Sequence, residues 1–232
     1  MDFVIQAIII MGIRAIIVFG FSVMLFIQWF QSKKKSIKDF KFLFGLQFFF
    51  LSCAKLFDIY FANEMGTLEM LSEPGYLPIL KLRWILMVAN IVPVFSMLVF
   101  VWLYKSATKQ ILYNAIFIIM SLLLIIFAPS YVFLQGLLVF MLLPIITLSI
   151  ITFFNLHKHR RLPQFNSLLM AISQILYLVM QIVRPVLTST ALAHDINWII
   201  SECIEIVIWI MMGMSFIIKP WFTRTHTQKI IV

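Results

Sequence analysis

Charge is scarce in this sequence. Only 12% of its 232 residues are Asp, Glu, Lys or Arg, while 63% are hydrophobic, and the mean hydropathy is +1.05. That shortage excludes a water-soluble domain, because even a large core needs a polar shell around it. Lipid must be the solvent for most of the chain. Acids are the scarcer sign, nine against eighteen bases, for a net charge of +9 and a pI near 9.7. In a soluble protein this excess would point to nucleic acid. Here the bases fall in short loops between apolar runs, the ordinary membrane pattern, so no nucleic-acid partner is expected.

Other absences narrow the chemistry. Seven glycines leave little material for glycine-rich filters or close-packing motifs, and no phosphate-binding glycine loop occurs. The two cysteines, Cys53 and Cys203, both lie in apolar segments, which excludes a disulfide scaffold. Two readings of them stand: small apolar fillers, or neighbours at similar depth in the second and seventh spans. All four histidines, His157, His159, His194 and His226, fall outside the apolar runs. A haem held by paired histidines and an intramembrane zinc protease are therefore not expected. No Ser/His or paired-aspartate constellation sits within a span. The expectation is a non-enzymatic protein with no cofactor and no metal.

What remains is seven apolar runs. A helix needs about 20 apolar residues to cross about 30 Å of hydrocarbon. The runs cover approximately 3–30, 40–62, 82–104, 111–127, 131–155, 166–187 and 196–218. Ala128-Pro129-Ser130 splits the fourth from the fifth by a tight turn, since the merged run would be too long for one crossing. Met1-Asp2 brings no basic n-region and no small-residue cleavage site, so the chain is expected to open on its first span. The fold class expected is an all-α integral membrane protein, a seven-transmembrane-helix bundle over residues 1–219 with a short tail, 220–232.

Orientation follows from the loops. Lys33, Lys34, Lys35, Lys38, Lys41, Lys105, Lys109, Lys158, Arg160, Arg161, Lys219, Arg224 and Lys229 share one side, with Asp39 as its one acid. Asp2, Glu64, Glu69, Glu73 and Asp195 lie on the other. The positive-inside rule makes the basic side cytoplasmic, with the N-terminus outside and the C-terminus in the cytoplasm of a multi-pass cell-membrane protein. Trp84 and Trp198 fall at outer ends, and Trp29, Trp102 and Trp221 at inner ends, as interfacial anchors would; Trp209 falls mid-span.

A 3+1+3 parallel repeat is suggested by two echoes. Trp84 and Lys105 recur at the same offset as Trp198 and Lys219. Trp29-Phe30-Gln31 before lysines resembles Phe153-Phe154-Asn155 before His157-Lys158-His159-Arg160-Arg161. Aromatic and basic residues also end most membrane helices, which accounts for the echoes without a repeat. A repeat would favour transporter-like symmetry.

The charges within the spans gather at one depth. Arg14 lies near mid-membrane in the first span, with Gln6 above it. Lys55 and Asp58 are three apart in the second, and Arg83 and Asn90 lie in the third. Gln174, Tyr177, Gln181 and Arg184 form a stripe on the sixth; Asp195, Trp198, Glu202, Glu205 and Trp209 form one on the seventh. Glu202 and Glu205 sit roughly 9 and 14 Å below the outer end at 1.5 Å per residue. Each charge in hydrocarbon costs at least about 2.5–3.5 kcal/mol on insertion scales, so these stripes should face one another or a water-filled cavity. Four bases meet three acids.

In one reading they staple the helices together. In the other they line an outward-open pocket, with Arg14, Lys55, Asp58, Arg83, Asn90, Tyr177, Gln181, Arg184, Glu202, Glu205 and Trp209 as ligand-binding residues. The arginines would take anionic groups; the glutamates would take a cation or orient the arginines. Pro185, directly after Arg184, would kink or end the sixth helix at the mouth.

Topology invites comparison with known seven-helix proteins. Retinal proteins need a lysine within the seventh helix, and here only Lys219 at its end is present. Rhodopsin-class receptors carry an acidic-arginine-aromatic triplet where this chain has Trp102-Leu103-Tyr104-Lys105. In length and topology the chain is similar to the seven-helix sensor modules fused to microbial histidine kinases, with no diagnostic motif shared. The expected function is a receptor-like or sensory membrane protein for a small polar ligand, or for a membrane or cytoplasmic protein partner. The alternatives are a small-solute transporter or a structural subunit of a larger complex.

Overall fold

A computed structural model describes residues 3–32, 36–65, 77–160, 162, 165–188 and 194–220. Among them it is all helical, with α1 (Phe3–Phe30), α2 (Phe40–Met65), α3 (Leu77–Trp102), α4 (Ala107–Ile126), α5 (Tyr131–Lys158), α6 (Ser167–Thr188) and α7 (His194–Met214). Six of the helices are long and apolar enough to cross a membrane, and the apolar stretch of α6, Ser167–Val183, is shorter. This is a helical, multi-pass membrane protein surrounded by lipid. The expectations for Lys33, Lys34, Lys35, Glu69, Glu73, Arg161, Trp221, Arg224, His226 and Lys229 lie outside the described residues, as do those for Met1 and Asp2.

Apolar runs become helices in lipid because only an internally paired backbone avoids stranding N–H and C=O groups there. Side chains satisfy several of the ends. Asp39 Oδ1 accepts from the Lys41 amide at 2.9 Å to cap α2, and Ser130 Oγ accepts from the Phe133 amide at 3.3 Å to cap α5. Asn166 Oδ1 does the same for α6, from the Leu169 amide at 3.1 Å. At the other end of α4, Lys81 Nζ donates to the Ile126 carbonyl at 2.7 Å, a cation on the negative end of a helix dipole. α3 starts at Leu77 rather than at 82, since Lys81 and Arg83 interrupt the hydropathy but not the helix. Pro185 does not end α6 either, which runs on to Thr188.

The chain divides into two compact units, Met1–Ile145 and Ile146–Val232, with the boundary inside α5. In the first, α1 packs on α2, α2 on α3 and α3 on α4. Ser22 Oγ donates to the Gly45 carbonyl at 2.8 Å and Ser52 Oγ to the Ala15 carbonyl at 3.1 Å, stitching α1 to α2. The approach is close at Gly45, where an added Cβ would lie 3.2 Å from the Phe26 ring. Phe95 stacks on Phe117 at 4.1 Å and Ser96 Oγ donates to Asn114 Oδ1 at 2.7 Å, which joins α3 to α4. Leu80, Trp84 and Val88 of α3 close a core with Ile125, Ala128 and Leu134.

In the second unit α6 packs on α7. Phe165 meets Phe153 at 5.5 Å and Phe216 at 4.7 Å, and the Asn166 amide donates to the Ser215 carbonyl at 2.8 Å. Both helices are inverted relative to a soluble protein. On α6, Ser173, Gln174 and Tyr177 are buried while Ile172, Ile175, Leu176 and Val179 are exposed. On α7, Ser201, Glu202 and Glu205 are buried while Ile204, Val207 and Ile210 are exposed. Lipid around the helices is the physical reason for that polarity.

The tryptophans divide differently from an interfacial belt. Trp84 and Trp198 are buried, whereas Trp102 is exposed and Trp29 half-buried, with its indole N–H donating to the Ser36 carbonyl at 3.0 Å. Trp84→Ala should therefore lower stability in mixed-micelle unfolding by about 2 kcal/mol, the packing share of what such truncations cost in water. Trp102→Ala should change it by less than about 0.5 kcal/mol, as surface replacements do; equal effects would contradict the assignment.

Candidate functional site

Three charges predicted to share faces of α2 and α3 meet. Lys55 and Asp58, three apart on α2, are neighbours on the helix surface, and Lys55 Nζ lies 3.3 Å from Asp58 Oδ2. Arg83 reaches the same carboxylate from α3, Nε to Oδ1 at 2.6 Å and Nη2 to Oδ2 at 3.3 Å. The guanidinium fork thus grips both oxygens, the strongest form of this pair. The Lys55, Asp58 and Arg83 side chains are 9%, 12% and 27% exposed, so Arg83 is the member nearest the surface. Two cations thus converge on one carboxylate held among apolar helices.

Arg14 is 3% exposed on α1. The Ser52 to Ala15 hydrogen bond puts it level with Cys53 on α2. At 1.5 Å per residue this is about 3 Å along the helix from Lys55 and about 7.5 Å from Asp58. Asn90 is buried about 10 Å further along α3 than Arg83, on the same rise. Its Oδ1 accepts no hydrogen bond, nor does Gln47 Oε1 on α2. Each such buried acceptor costs about 1–3 kcal/mol until a donor reaches it.

The second unit buries two acids within α7. Glu202 and Glu205, at 0% and 1% exposure, are among the most deeply buried polar residues of the fold, and neither is without a partner. One turn beyond Glu205, Trp209 packs edge-on against Tyr177 of α6, with ring centres 5.3 Å apart at 61°. Tyr177 and Trp209 are thus brought together, as core. Gln174 is buried beside them in sequence, with Oε1 accepting no hydrogen bond, while Gln181 is half-buried. The side chains of Arg184 and Asp195 lie outside the described residues. Cys53 and Cys203 are free thiols, and Cys203 is exposed.

Reading the sequence for charge misses a neutral polar line at the opposite end of the first unit. Asn114 Nδ2 donates to the Gln110 carbonyl at 2.9 Å, Gln110 Nε2 to the Leu103 carbonyl at 2.8 Å, and Lys38 Nζ to Gln110 Oε1 at 2.6 Å. The available signal is Gln110 and Asn114, an i,i+4 amide pair at the start of a mainly apolar helix.

No known protein family matches the chain, and neither a curated protein nor a solved structure does. The residues alone therefore carry the functional reading.

Asp58→Asn should destabilise the protein by about 2–3 kcal/mol in mixed-micelle unfolding, somewhat less than a fully buried pair because Arg83 is partly exposed. Adding Lys55→Met to it should recover at least about 1 kcal/mol, since one uncompensated cation is removed. Strict additivity of the two losses would show that Lys55 and Asp58 do not interact.

Proposed function

We propose that the chain is a non-enzymatic, receptor-like or sensory membrane protein that binds a small anionic ligand at the Lys55–Asp58–Arg83 trio. The observation that carries this reading is a guanidinium fork and a lysine converging on one carboxylate within apolar helices, where each charge costs at least about 2.5 kcal/mol, with Arg83 27% exposed. Polar contacts between membrane helices average about 0.6 kcal/mol, so stapling alone is a weak return on that cost. Asp58 fixes both cations in place before a ligand arrives, which reduces the ordering penalty of binding. Arg83 makes the first contact, and a carboxylate or phosphate group suits its planar donors.

Under the positive-inside reading the seven helices all cross, the basic loops are cytoplasmic and the trio opens to the outside. A signal would leave through a partner docked on the basic loops.

Thermal-shift screening of the purified protein against small carboxylates and phosphates tests the binding. A ligand present at 100 times its Kd should add about 2.7 kcal/mol of stability. Arg83→Gln should abolish the shift and Arg160→Gln should leave it intact. An unchanged shift in Arg83→Gln would sink the proposal, and uptake of the same anion into proteoliposomes would favour transport over sensing. In a background of Cys53→Ala and Cys203→Ala, an impermeant maleimide should label Ser72→Cys in intact cells and Ser36→Cys only after permeabilisation. The reverse pattern would invert the orientation.

A further inference from the structure

Lys38 is anchored in an unusual way for a loop lysine. Where the residues just before α2, the end of α3 and the start of α4 meet, there is a recess of about 210 Å³. Lys38, Phe40, Met97, Phe100, Tyr104 and Gln110 line it. Gln110 is buried and uses both ends of its amide: Nε2 donates to the Leu103 carbonyl, and Oε1 accepts from Lys38 Nζ. The ammonium is thereby held 5.2 Å from the centre of the Phe100 ring. An ammonium has three N–H donors and Gln110 takes one.

Acid is scarce at this end. Asp39 uses Oδ1 to cap α2. Among the described residues here, Lys38, Lys41, Lys105 and Lys109 stand against Asp39 alone. The remaining walls are apolar or aromatic. Tyr104 and Trp102 are exposed beside the recess, and Lys105 Nζ lies 5.5 Å from the Tyr104 ring.

A fixed cation at the lip of an apolar cleft, at the end of membrane-crossing helices, has the chemistry of an amphiphile site. We propose that this recess binds the phosphate group of an anionic phospholipid from the leaflet that bathes the basic loops, with the start of its acyl chains along Phe40 and Phe100. The phosphate accepts a charge-assisted hydrogen bond from Lys38 and is drawn in by the surrounding lysines. One cation among apolar walls is a poor exchange for the hydration of a free anion, whereas a lipid also contributes its chains. The site is separate from the trio and stands whether or not the trio binds a ligand.

Native mass spectrometry of the full chain, released from micelles containing equal amounts of phosphatidylglycerol and phosphatidylcholine, tests this directly. Wild type should retain phosphatidylglycerol in preference. Lys38→Met should reduce that preference about five-fold, the weight of one basic residue at an anionic surface. Lys38→Arg should keep it, and Lys158→Met in the second unit should leave it unchanged. Equal retention of both lipids by wild type would overturn the proposal, as would equal losses in Lys38→Met and Lys158→Met. Displacement of the lipid by inorganic phosphate at matching concentration would do the same, because the occupant would then be a free anion. The wild-type comparison needs no variant and decides the matter even if Lys38→Met does not fold.

Discussion

Lipid outside the helices forces every polar side chain within them to find its company inside. Water cannot rescue a stranded serine, amide or carboxylate at that depth, so the buried faces of α6 and α7 carry Ser173, Gln174, Ser201, Glu202 and Glu205. Isoleucines and valines of the same helices point outward. The same constraint turns Ser22 and Ser52 of the first unit onto carbonyls of the neighbouring helix. It also sends Lys81 to the free end of α4, where its charge neutralises a helix dipole.

From that constraint the trio acquires its meaning. Asp58 is gripped by Arg83 through both oxygens and approached by Lys55 from its own helix. Three charged side chains are thus held together among apolar helices. Stability gives little reason to keep them, since apolar replacements of buried ion pairs are often neutral or favourable. The proposed binding role gives one: a preset cationic fork, nearest the surface at Arg83, that an anion could reach.

Much of this was legible in the sequence because hydropathy and the helical repeat act locally. The apolar runs became α1 to α7, the Ala128-Pro129-Ser130 break separates α4 from α5, and the three-residue spacing of Lys55 and Asp58 became an ion pair. What was not legible depends on the neighbour across the interface. Trp84 looks like a headgroup anchor by position, but α4 and the start of α5 close over it. Arg83 reads as one charge at a mouth until α3 is packed on α2. Gln110 and Asn114 carry no charge, so a search for ionisable groups passes over the polar line that fixes Lys38. The boundary between compact units, inside α5, does not fall where a repeat of three helices either side of α4 would put it.

On the reading proposed above, the trio exists for a ligand and not for the fold. Replacing it whole, as Lys55→Met, Asp58→Leu and Arg83→Met in one protein, separates the two roles, because the three charges are removed together. Unfolding of this variant in mixed micelles, with and without the anion that stabilises the wild type, is the most direct measurement. The expected result is a folded protein within about 1 kcal/mol of wild-type stability that no longer responds to the anion. A variant that fails to fold, or one that folds and is stabilised by the anion as before, would contradict it.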